Sequence, residues 1–324
     1  MSTAGTATAL AAMAAERRDL MVDELRTLVE HESPTGDVGR LATLAEVIER
    51  QWADVGAIAI RHDSAGTGTH LELVWNGPDG THREAAPALM IGHYDTVHDV
   101  GTLQRNPWRI DERGRAWGPG TQDMKSGLVI ARHALALLTD LGRPLARPVR
   151  MLITADEEIG SPTSQDLIRA RARACAYALV FEAATSDGAL KTERTGVALW
   201  QVTVTGRAAH AGQNFSDGVN ANVALAGLIT GIAALGDRST GTTVNVGVVR
   251  GGTRPNVVAA RAEALIDVRF VSDGEADRVT AALGGLRSDL AVEIAVAGGV
   301  NRPAMQRTAE TARLFARARA CAEA

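Results

Sequence analysis

Acidic side chains and a histidine follow several apolar runs in this chain. The first run, residues 89–92, is followed by His93 and Asp95, two residues apart. Alternate residues of a strand share a face, so these two side chains can point to the same side of a sheet. On its own, such a pair is most often a hydrogen-bonded pair. Further acidic residues accompany later apolar segments at Asp123, Asp156, Glu157, Glu158 and Glu182. Carboxylates that recur at the ends of several core strands predict a metal-binding cleft.

The donor types indicate which metals would fit this cleft. Imidazole and carboxylate ligands without thiolate suit zinc, cobalt or manganese. Two such ions, roughly 3.5 to 4 Å apart and sharing one carboxylate, polarise a carbonyl group and lower the pKa of water. Glu157 can then serve as a general base, and Asp95 can orient the imidazole of His93. The candidate metal ligands are His93, Asp123, Glu158 and Glu182.

The three adjacent acids Asp156, Glu157 and Glu158 directly follow the apolar run 149–154. A solvated acidic turn is the alternative interpretation of such a cluster. Adjacent carboxylates repel one another and resist removal from water, so a cation is the simplest compensation. Together with the other acidic positions, the cluster favours a metal site.

The segments that carry these residues alternate between helices and apolar strands. Residues 149–154 are almost entirely apolar, as in a central strand covered on both faces. This alternation predicts an α/β fold with an open, mostly parallel sheet and a site beyond the carboxyl ends of its strands. Helices are predicted at 17–30, 38–53, 164–176 and from the glycine-rich segment 118–127 to Gly142, and strands at 57–61, 70–75, 89–92, 149–154 and 177–181.

From about residue 191 the pattern changes to β-α-β-β-α-β. This order predicts one antiparallel sheet with two helices, an α+β, ferredoxin-like domain inserted into the first domain. His210 stands in the loop 206–212, where it fits a surface residue and a functional residue equally well. The predicted strands are 198–205, 242–250, 257–270 and 291–296, and the predicted helices are 220–235 and 274–286.

Composition excludes several classes of protein. The chain has 324 residues, which predicts two domains, and its net charge of -4 gives no reason to expect nucleic acid or a membrane as partner. Cys175 and Cys321 are too few for a disulfide framework, and a reducing compartment is the default. No apolar run approaches the roughly 20 residues that cross a bilayer. We expect a cytoplasmic protein whose residues 1–19 form a frayed tail leading into a helix.

Five ordered motifs resemble the M20 family of metallopeptidases, most closely its glutamate carboxypeptidase branch. They are GHYDTV at 92–97, GPGTQDMKSG at 118–127, ADEEIGS at 155–161, FEAA at 181–184 and GRAAHAG at 206–212. The resemblance implies a zinc hydrolase with a catalytic domain of the zinc-exopeptidase type and an inserted lid that also forms a homodimer. The expected domains are 1–192 (catalytic), 193–298 (lid and dimerisation) and 299–324 (an incomplete return to the catalytic domain).

The resemblance also implies a role for each site residue. His93 and Glu182 correspond to ligands of one metal, Asp123 to the bridging ligand and Glu158 to a ligand of the other. Glu157 corresponds to the general base, and the peptide bond after Asp123 should be cis. His210 corresponds to a lid histidine that stabilises the tetrahedral oxyanion, in dimers across the subunit interface. The residues that correspond to the substrate-carboxylate site are Asn256, Arg269 and Arg302, and a bidentate arginine suits that task.

The expected reaction is cleavage of an amide next to a free carboxylate, in a small peptide or an N-acyl amino acid and possibly of the glutamate type. An acetylornithine- or succinyl-diaminopimelate-type deacylase is the alternative within the same class. A non-catalytic relative that binds or dimerises is the alternative from another class.

One departure from the family pattern bears on these alternatives. In the family, the second metal takes a histidine from a C-terminal segment, but this sequence has no histidine after His210. It ends at Ala324, in a predicted helix that begins near Thr308. We therefore expect a truncated sequence that binds one metal more firmly than the other and has little activity. Uncovered apolar sheet surface should also lower its solubility.

Overall fold

The computed structural model describes residues 3–76, 84–142 and 145–323. The chain forms two units, Met1–Gly188 with Arg319–Ala324, and Ala189–Ala318. The limits of the three domains expected from the sequence stay predictions.

The first unit is built on a mixed sheet with the strand order β1-β2-β6-β3-β7. Because only β2 runs opposite to the other four strands, the sheet is mostly parallel, as predicted. The carboxyl ends of β3, β6 and β7 consequently lie at the same edge. The strands of this unit are β1 (Ile58–Ser64), β2 (Gly68–Trp75), β3 (Ala88–His93), the short pair β4 (Arg109–Ile110) and β5 (Ala116–Trp117), β6 (Val149–Thr154) and β7 (Tyr177–Val180).

Helices cover this sheet. They are α1 (Thr3–Glu16), α2 (Arg18–Glu30), α3 (Val38–Ala53), α4 (Thr102–Arg105), α5 (Ser126–Asp140) and α6 (Gln165–Ala174). The expectation of a frayed N-terminal tail is wrong for residues 3–16, because this alanine-rich segment forms α1. The carboxylate of Asp37 caps α3 by accepting a hydrogen bond from the backbone N–H of Arg40. The apolar stripe predicted for α3 is buried, at Leu41, Leu44, Ala45, Ile48 and Trp52.

Strand β2 is buried on both faces, so its polar side chains need partners inside the protein. Glu72 is fully buried and contacts Arg150 of β6. It also accepts hydrogen bonds from Nε of Arg171 at 2.9 Å and pairs with Nε2 of His62 at 3.0 Å. Arg171 lies on α6, which buries none of its side chains. Glu72 therefore links α6 to the sheet through a polar contact.

The second unit has the predicted β-α-β-β-α-β order. Its sheet is antiparallel with the strand order β11-β8-β10-β9. One face of the sheet packs against the helices around Val202, Val204, Ile266 and Phe270, which are all buried. The elements are α7 (Ala221–Ala233), α8 (Asp273–Gly284), β8 (Gly196–Thr205), β9 (Thr243–Gly251), β10 (Arg261–Phe270) and β11 (Glu293–Arg302), followed by α9 (Ala309–Ala322).

Two surface features bear on the expectations above. At the sheet edge, Tyr177, Leu179 and Val180 of β7 are exposed. None of the helices in the described ranges is long and apolar enough to cross a lipid bilayer. The cytoplasmic location stays a prediction.

Candidate metal centre

The end of β3 and the beginning of α5 meet closely, and this contact brings His93 to Asp123. A Cβ atom at Gly92 would lie 2.7 Å from Cε of Met124, so a larger residue there would require the Met124 side chain to shift. The backbone N–H of His93 donates to Sδ of Met124 at 3.0 Å. The peptide bond between Asp123 and Met124 is cis, as the resemblance predicts. The turn before α5 thus presents the Asp123 carboxylate to the histidine.

Three of the four candidate ligands converge. Nε2 of His93 lies 3.0 Å from Oδ1 of Asp123 and 3.3 Å from Oε1 of Glu182. The three potential ligand atoms all lie within 4.8 Å of one another. The side chain of His93 is 1% exposed and that of Asp123 is 65% exposed, so the group opens to solvent on the aspartate side. A small ion can reach the three donors from solvent.

The other ring nitrogen of His93 faces Asp95. Nδ1 lies 3.0 Å from the backbone oxygen and 3.3 Å from Oδ1 of Asp95. Burial lowers the pKa of His93, but hydrogen bonds to Asp95 and Glu182 outweigh it and raise the pKa to about 11. The surrounding carboxylates therefore favour a positive charge at this point. Imidazole and carboxylate donors fit a divalent ion such as zinc, cobalt or manganese.

Asp95 also holds the turn that carries the other two acidic candidates. Its buried carboxylate accepts hydrogen bonds from the backbone N–H groups of Glu157 and Glu158, each at 3.3 Å. The hydroxyl of Thr35 donates to the same carboxylate at 2.8 Å. The sequence offered no signal for Thr35, because its contact with Asp95 joins residues 60 positions apart.

Glu158 does not belong to the group of three converging donors. Burial, followed by the charge of Asp123, raises the pKa of the Glu158 carboxyl group. Glu158, in the turn after β6, is therefore close enough to the site for the negative charge of Asp123 to affect it. Its assignment as a metal ligand stays a prediction.

Asp156 has a different environment from its two neighbours. Its carboxylate accepts hydrogen bonds from the backbone N–H and hydroxyl of Thr163, at 2.8 and 2.7 Å. The same groups of Ser164 donate to it at 3.1 and 2.6 Å. These bonds outweigh burial and lower the pKa of Asp156. The expectation that all three adjacent acids need a cation is wrong for Asp156, because neutral donors compensate its charge.

In the second unit, His210 is exposed and its tautomer is defined. Nδ1 accepts hydrogen bonds from the backbone N–H groups of Gly212 and Gln213, at 3.1 and 3.2 Å. The neutral ring therefore carries its proton on Nε2. The backbone oxygen of Asn256 accepts a hydrogen bond from Ala211, so Asn256 lies beside this loop.

Arg269 and Arg302 line one cavity of about 350 Å³ in the second unit. Both residues lie opposite Val197 in the register of the sheet. Asp267 accepts hydrogen bonds from Nε and Nη2 of Arg269, at 2.7 and 2.9 Å, and so orients the guanidinium group. Asn256 is not among the residues that line this cavity.

Two family models match the chain. One, described as peptidase family M28, matches residues 74–224, and the other, described as a peptidase dimerisation domain, matches residues 192–294. Among solved structures, aminopeptidase PepT from Bacillus cereus has a TM-score of 0.73 at 22% identity and covers 88% of this chain and 76% of its own. The M20 family metallo-carboxypeptidase Sso-CP2 from Sulfolobus solfataricus has a TM-score of 0.60 at 17% identity, with 89% and 79% covered. At these identities, the structures show a shared fold.

Curated relatives are more similar in sequence. Carboxypeptidase G2 from Pseudomonas sp. is 31% identical over 82% of this chain, and acetylornithine deacetylase from Myxococcus xanthus is 27% identical over 70%. The match spans 63% of the length of the first relative and 60% of the second. Together with the converging donors and the five motifs, these similarities show that the chain belongs to the M20 family of metallopeptidases.

Proposed function

We propose that this chain is a metal-dependent hydrolase that cleaves an amide bond next to a free carboxylate, in a small peptide or an N-acyl amino acid. The observation that carries the proposal is the convergence of His93, Asp123 and Glu182 within 4.8 Å. This group stands where the carboxyl ends of parallel strands β3 and β7 meet, the usual place for a site in such sheets.

Each of the four candidate ligands has a proposed role in metal binding. His93 and Glu182 would hold one ion, Asp123 would be shared by both ions, and Glu158 would hold the other. The chemistry supplied by two bound divalent metals, zinc in the first instance, is polarisation of the amide carbonyl and a lowered pKa of water. Since Glu158 lies outside the converging group, one ion should bind more firmly than the other.

The remaining steps fall to side chains of the protein. Glu157 accepts a proton from the attacking water and delivers it to the leaving amine. The Nε2–H group of His210 donates a hydrogen bond to the tetrahedral oxyanion, a role that its tautomer supports. A homodimer formed through the second unit is part of this proposal, since the lid histidine then acts on the partner's site.

The cavity in the second unit supports the proposed substrate class. Arg269 and Arg302 together supply two guanidinium groups, which suit a carboxylate better than any neutral group. Asn256 is proposed as a further contact to the substrate. A glutamate-type residue is one acceptable product of such a site.

A deacylase that removes the acyl group of an amino acid is the second candidate. It is favoured by the similarity to acetylornithine deacetylase, at 27% identity over 70% of this chain. A non-catalytic binding relative is the alternative from another class. Turnover by the metal-loaded chain would exclude this alternative.

The test combines metal titration with hydrolysis. Zinc should bind firmly at about one equivalent per chain, and His93→Ala and Glu182→Gln should abolish that binding. Zinc binding of unchanged affinity in both variants would contradict the proposed ligand set.

A panel of peptides and N-acyl amino acids, with zinc or cobalt added, then identifies the substrate class. Glu157→Gln should lower kcat by about 100-fold or more while metal binding persists. Glu112→Gln, an exposed glutamate of the same unit, serves as the matched control. Undiminished turnover in Glu157→Gln would remove this residue from the role of general base.

A further inference from the structure

A chain of hydrogen bonds runs behind the turn that carries Glu157 and Glu158, and it begins at a histidine outside the metal centre. We propose that His70 and Thr163 are positioning residues, which fix this turn so that its two glutamates face the site. The inference rests on the proposed function, because the roles of Glu157 and Glu158 come from it.

The first step of the chain defines the tautomer of His70. This residue of β2 is 2% exposed, and its Nδ1 accepts a hydrogen bond from the backbone N–H of Ala155 at 3.2 Å. The neutral ring must then carry its proton on Nε2, which lies 3.0 Å from Oγ1 of Thr163. His70 therefore donates to the threonine hydroxyl. Burial lowers the pKa of His70, which agrees with a neutral ring.

The second step passes through Thr163. Its hydroxyl donates to Oδ2 of Asp156 at 2.7 Å, and this uses its single proton. The hydroxyl of Thr67, 2.8 Å away, must therefore be the donor in its contact with Thr163. Thr163 accepts two hydrogen bonds and donates one, so the whole chain has one direction. Thr163 is itself exposed, whereas His70 and Asp156 are 2% and 0% exposed. Hydrogen bonds in such a chain strengthen one another, and the loss of one member takes a partner from its buried neighbours.

Asp156 then closes the loop that follows β6. Its carboxylate binds the Thr163–Ser164 turn, while its backbone oxygen accepts a hydrogen bond from the backbone N–H of Ser161 at 2.9 Å. Ser161 has a φ of 59°, a value that costs energy outside glycine and persists where its surroundings fix the backbone. The backbone oxygen of Glu157 accepts from Gly160 at 2.8 Å within the same loop.

Helix α6, which follows the loop, has no fully buried side chain, so hydrogen bonds carry much of this task. The glutamate turn is thus held by Asp95 on one side and by Asp156 on the other. Removing the Thr163 hydroxyl would take one hydrogen-bond partner from the Nε2–H group of His70 and one from a carboxylate oxygen of Asp156, and both of these residues are buried. The turn should then relax and carry Glu157 and Glu158 away from their positions.

Two matched pairs of variants test the inference. Thr163→Val removes the hydroxyl at nearly constant shape, and Thr163→Ser retains it. His70→Phe breaks the chain at its origin, and His62→Phe changes the residue directly opposite in the strand register, which pairs with Glu72 instead. Circular dichroism first establishes that each variant is folded.

The measurements are cobalt titration followed by absorption spectroscopy, and the kinetics of the loaded protein. Thr163→Val and His70→Phe should weaken the less firmly bound metal by about tenfold or more, and should lower kcat more than they change KM. Thr163→Ser and His62→Phe should behave like the unsubstituted chain. If Thr163→Val fails to fold, the two histidine variants decide.

Unchanged metal affinities and kcat in both Thr163→Val and His70→Phe would overturn the inference and leave the proposed function standing. A loss in Thr163→Ser as large as that in Thr163→Val would also overturn it, because the hydroxyl would then be irrelevant. An unsubstituted chain that binds no metal would contradict the proposed function and this inference with it.

Discussion

Gly127, near the start of α5, controls how closely the helix approaches the segment that carries Glu182. A Cβ atom at this position would lie 2.0 Å from the backbone oxygen of Phe181 and 2.7 Å from Cε of Met124. Phe181 directly precedes Glu182, one of the three converging donors. We therefore predict that Gly127→Ala displaces Glu182 and weakens metal binding.

The contact distances set the size of the effect. Ordinary contact with a Cβ atom begins at 3.4 Å, so the gap of 2.0 Å to the Phe181 oxygen must widen considerably. Overpacking of this kind costs about 1–3 kcal/mol, and the better helix propensity of alanine returns about 1 kcal/mol. Because metal–ligand bonds of about 2.0–2.2 Å tolerate little displacement, zinc affinity should fall by about tenfold or more.

The assay compares Gly127→Ala with Gly227→Ala, which lies in α7 where an added Cβ meets nothing within 4 Å. Zinc affinity is measured by competition with a chelating dye, and stability by urea unfolding. The control should keep its zinc affinity and gain up to about 1 kcal/mol in unfolding free energy. Gly127→Ala with unchanged zinc affinity and the same gain in stability would refute the steric reasoning.

Three further predictions concern ion pairs, two of them buried and one at the cavity of the second unit. Hydrogen bonds from two arginines outweigh burial and lower the pKa of Glu72 to about 2. Its ionised form should therefore contribute about 2 kcal/mol to the free energy of unfolding after screening. This contribution is present above about pH 4.5 and is lost as the pH falls toward 2. Glu72→Gln should flatten this pH dependence when the free energy of unfolding is measured by urea titration. Glu24→Ala should cost about 3 kcal/mol in urea unfolding, because it leaves the largely buried Arg132 without its 2.7 Å partner, and a loss under about 1 kcal/mol would contradict this. Asp267→Asn should raise KM for a carboxylate substrate about tenfold with little change in kcat, because it loosens Arg269, and an unchanged KM would exclude that role.

Much of the fold follows from patterns that are local in sequence. The stripe of α3, the continuous apolar run of β6 and the order of elements in the second unit each depend on residues close together in the chain. The converging donors could be predicted because parallel strands end at a common edge, so His93 and Glu182 were expected near each other before any distance was known.

Contacts between segments that are distant in the chain could not be predicted from the sequence. Glu72 of β2 is buried, and its partner Arg171 lies 99 residues later. Nothing local selects that partner, because the choice depends on how α6 crosses the sheet. The hydrogen bonds of Asp156 are easier to predict from the sequence, because Thr163 and Ser164 lie only 7 and 8 residues away, at the start of a helix.

Two buried acidic residues and the acidic cluster of the metal centre show why counting carboxylates overestimates metal sites. The charge of Glu72 is balanced by arginines, whose own charge is permanent. The charge of Asp156 is stabilised by hydrogen bonds from backbone N–H and hydroxyl groups, so it needs no ion. At the cluster of Asp123 and Glu182, the compensating group is the imidazole of His93, whose proton a metal ion can replace. The distinguishing feature of a metal site is thus the exchangeable nature of the compensating charge. A sequence search for such sites should therefore select acidic clusters whose charge can be balanced by a nearby histidine. It should set aside clusters that have an arginine or the first turn of a helix close by.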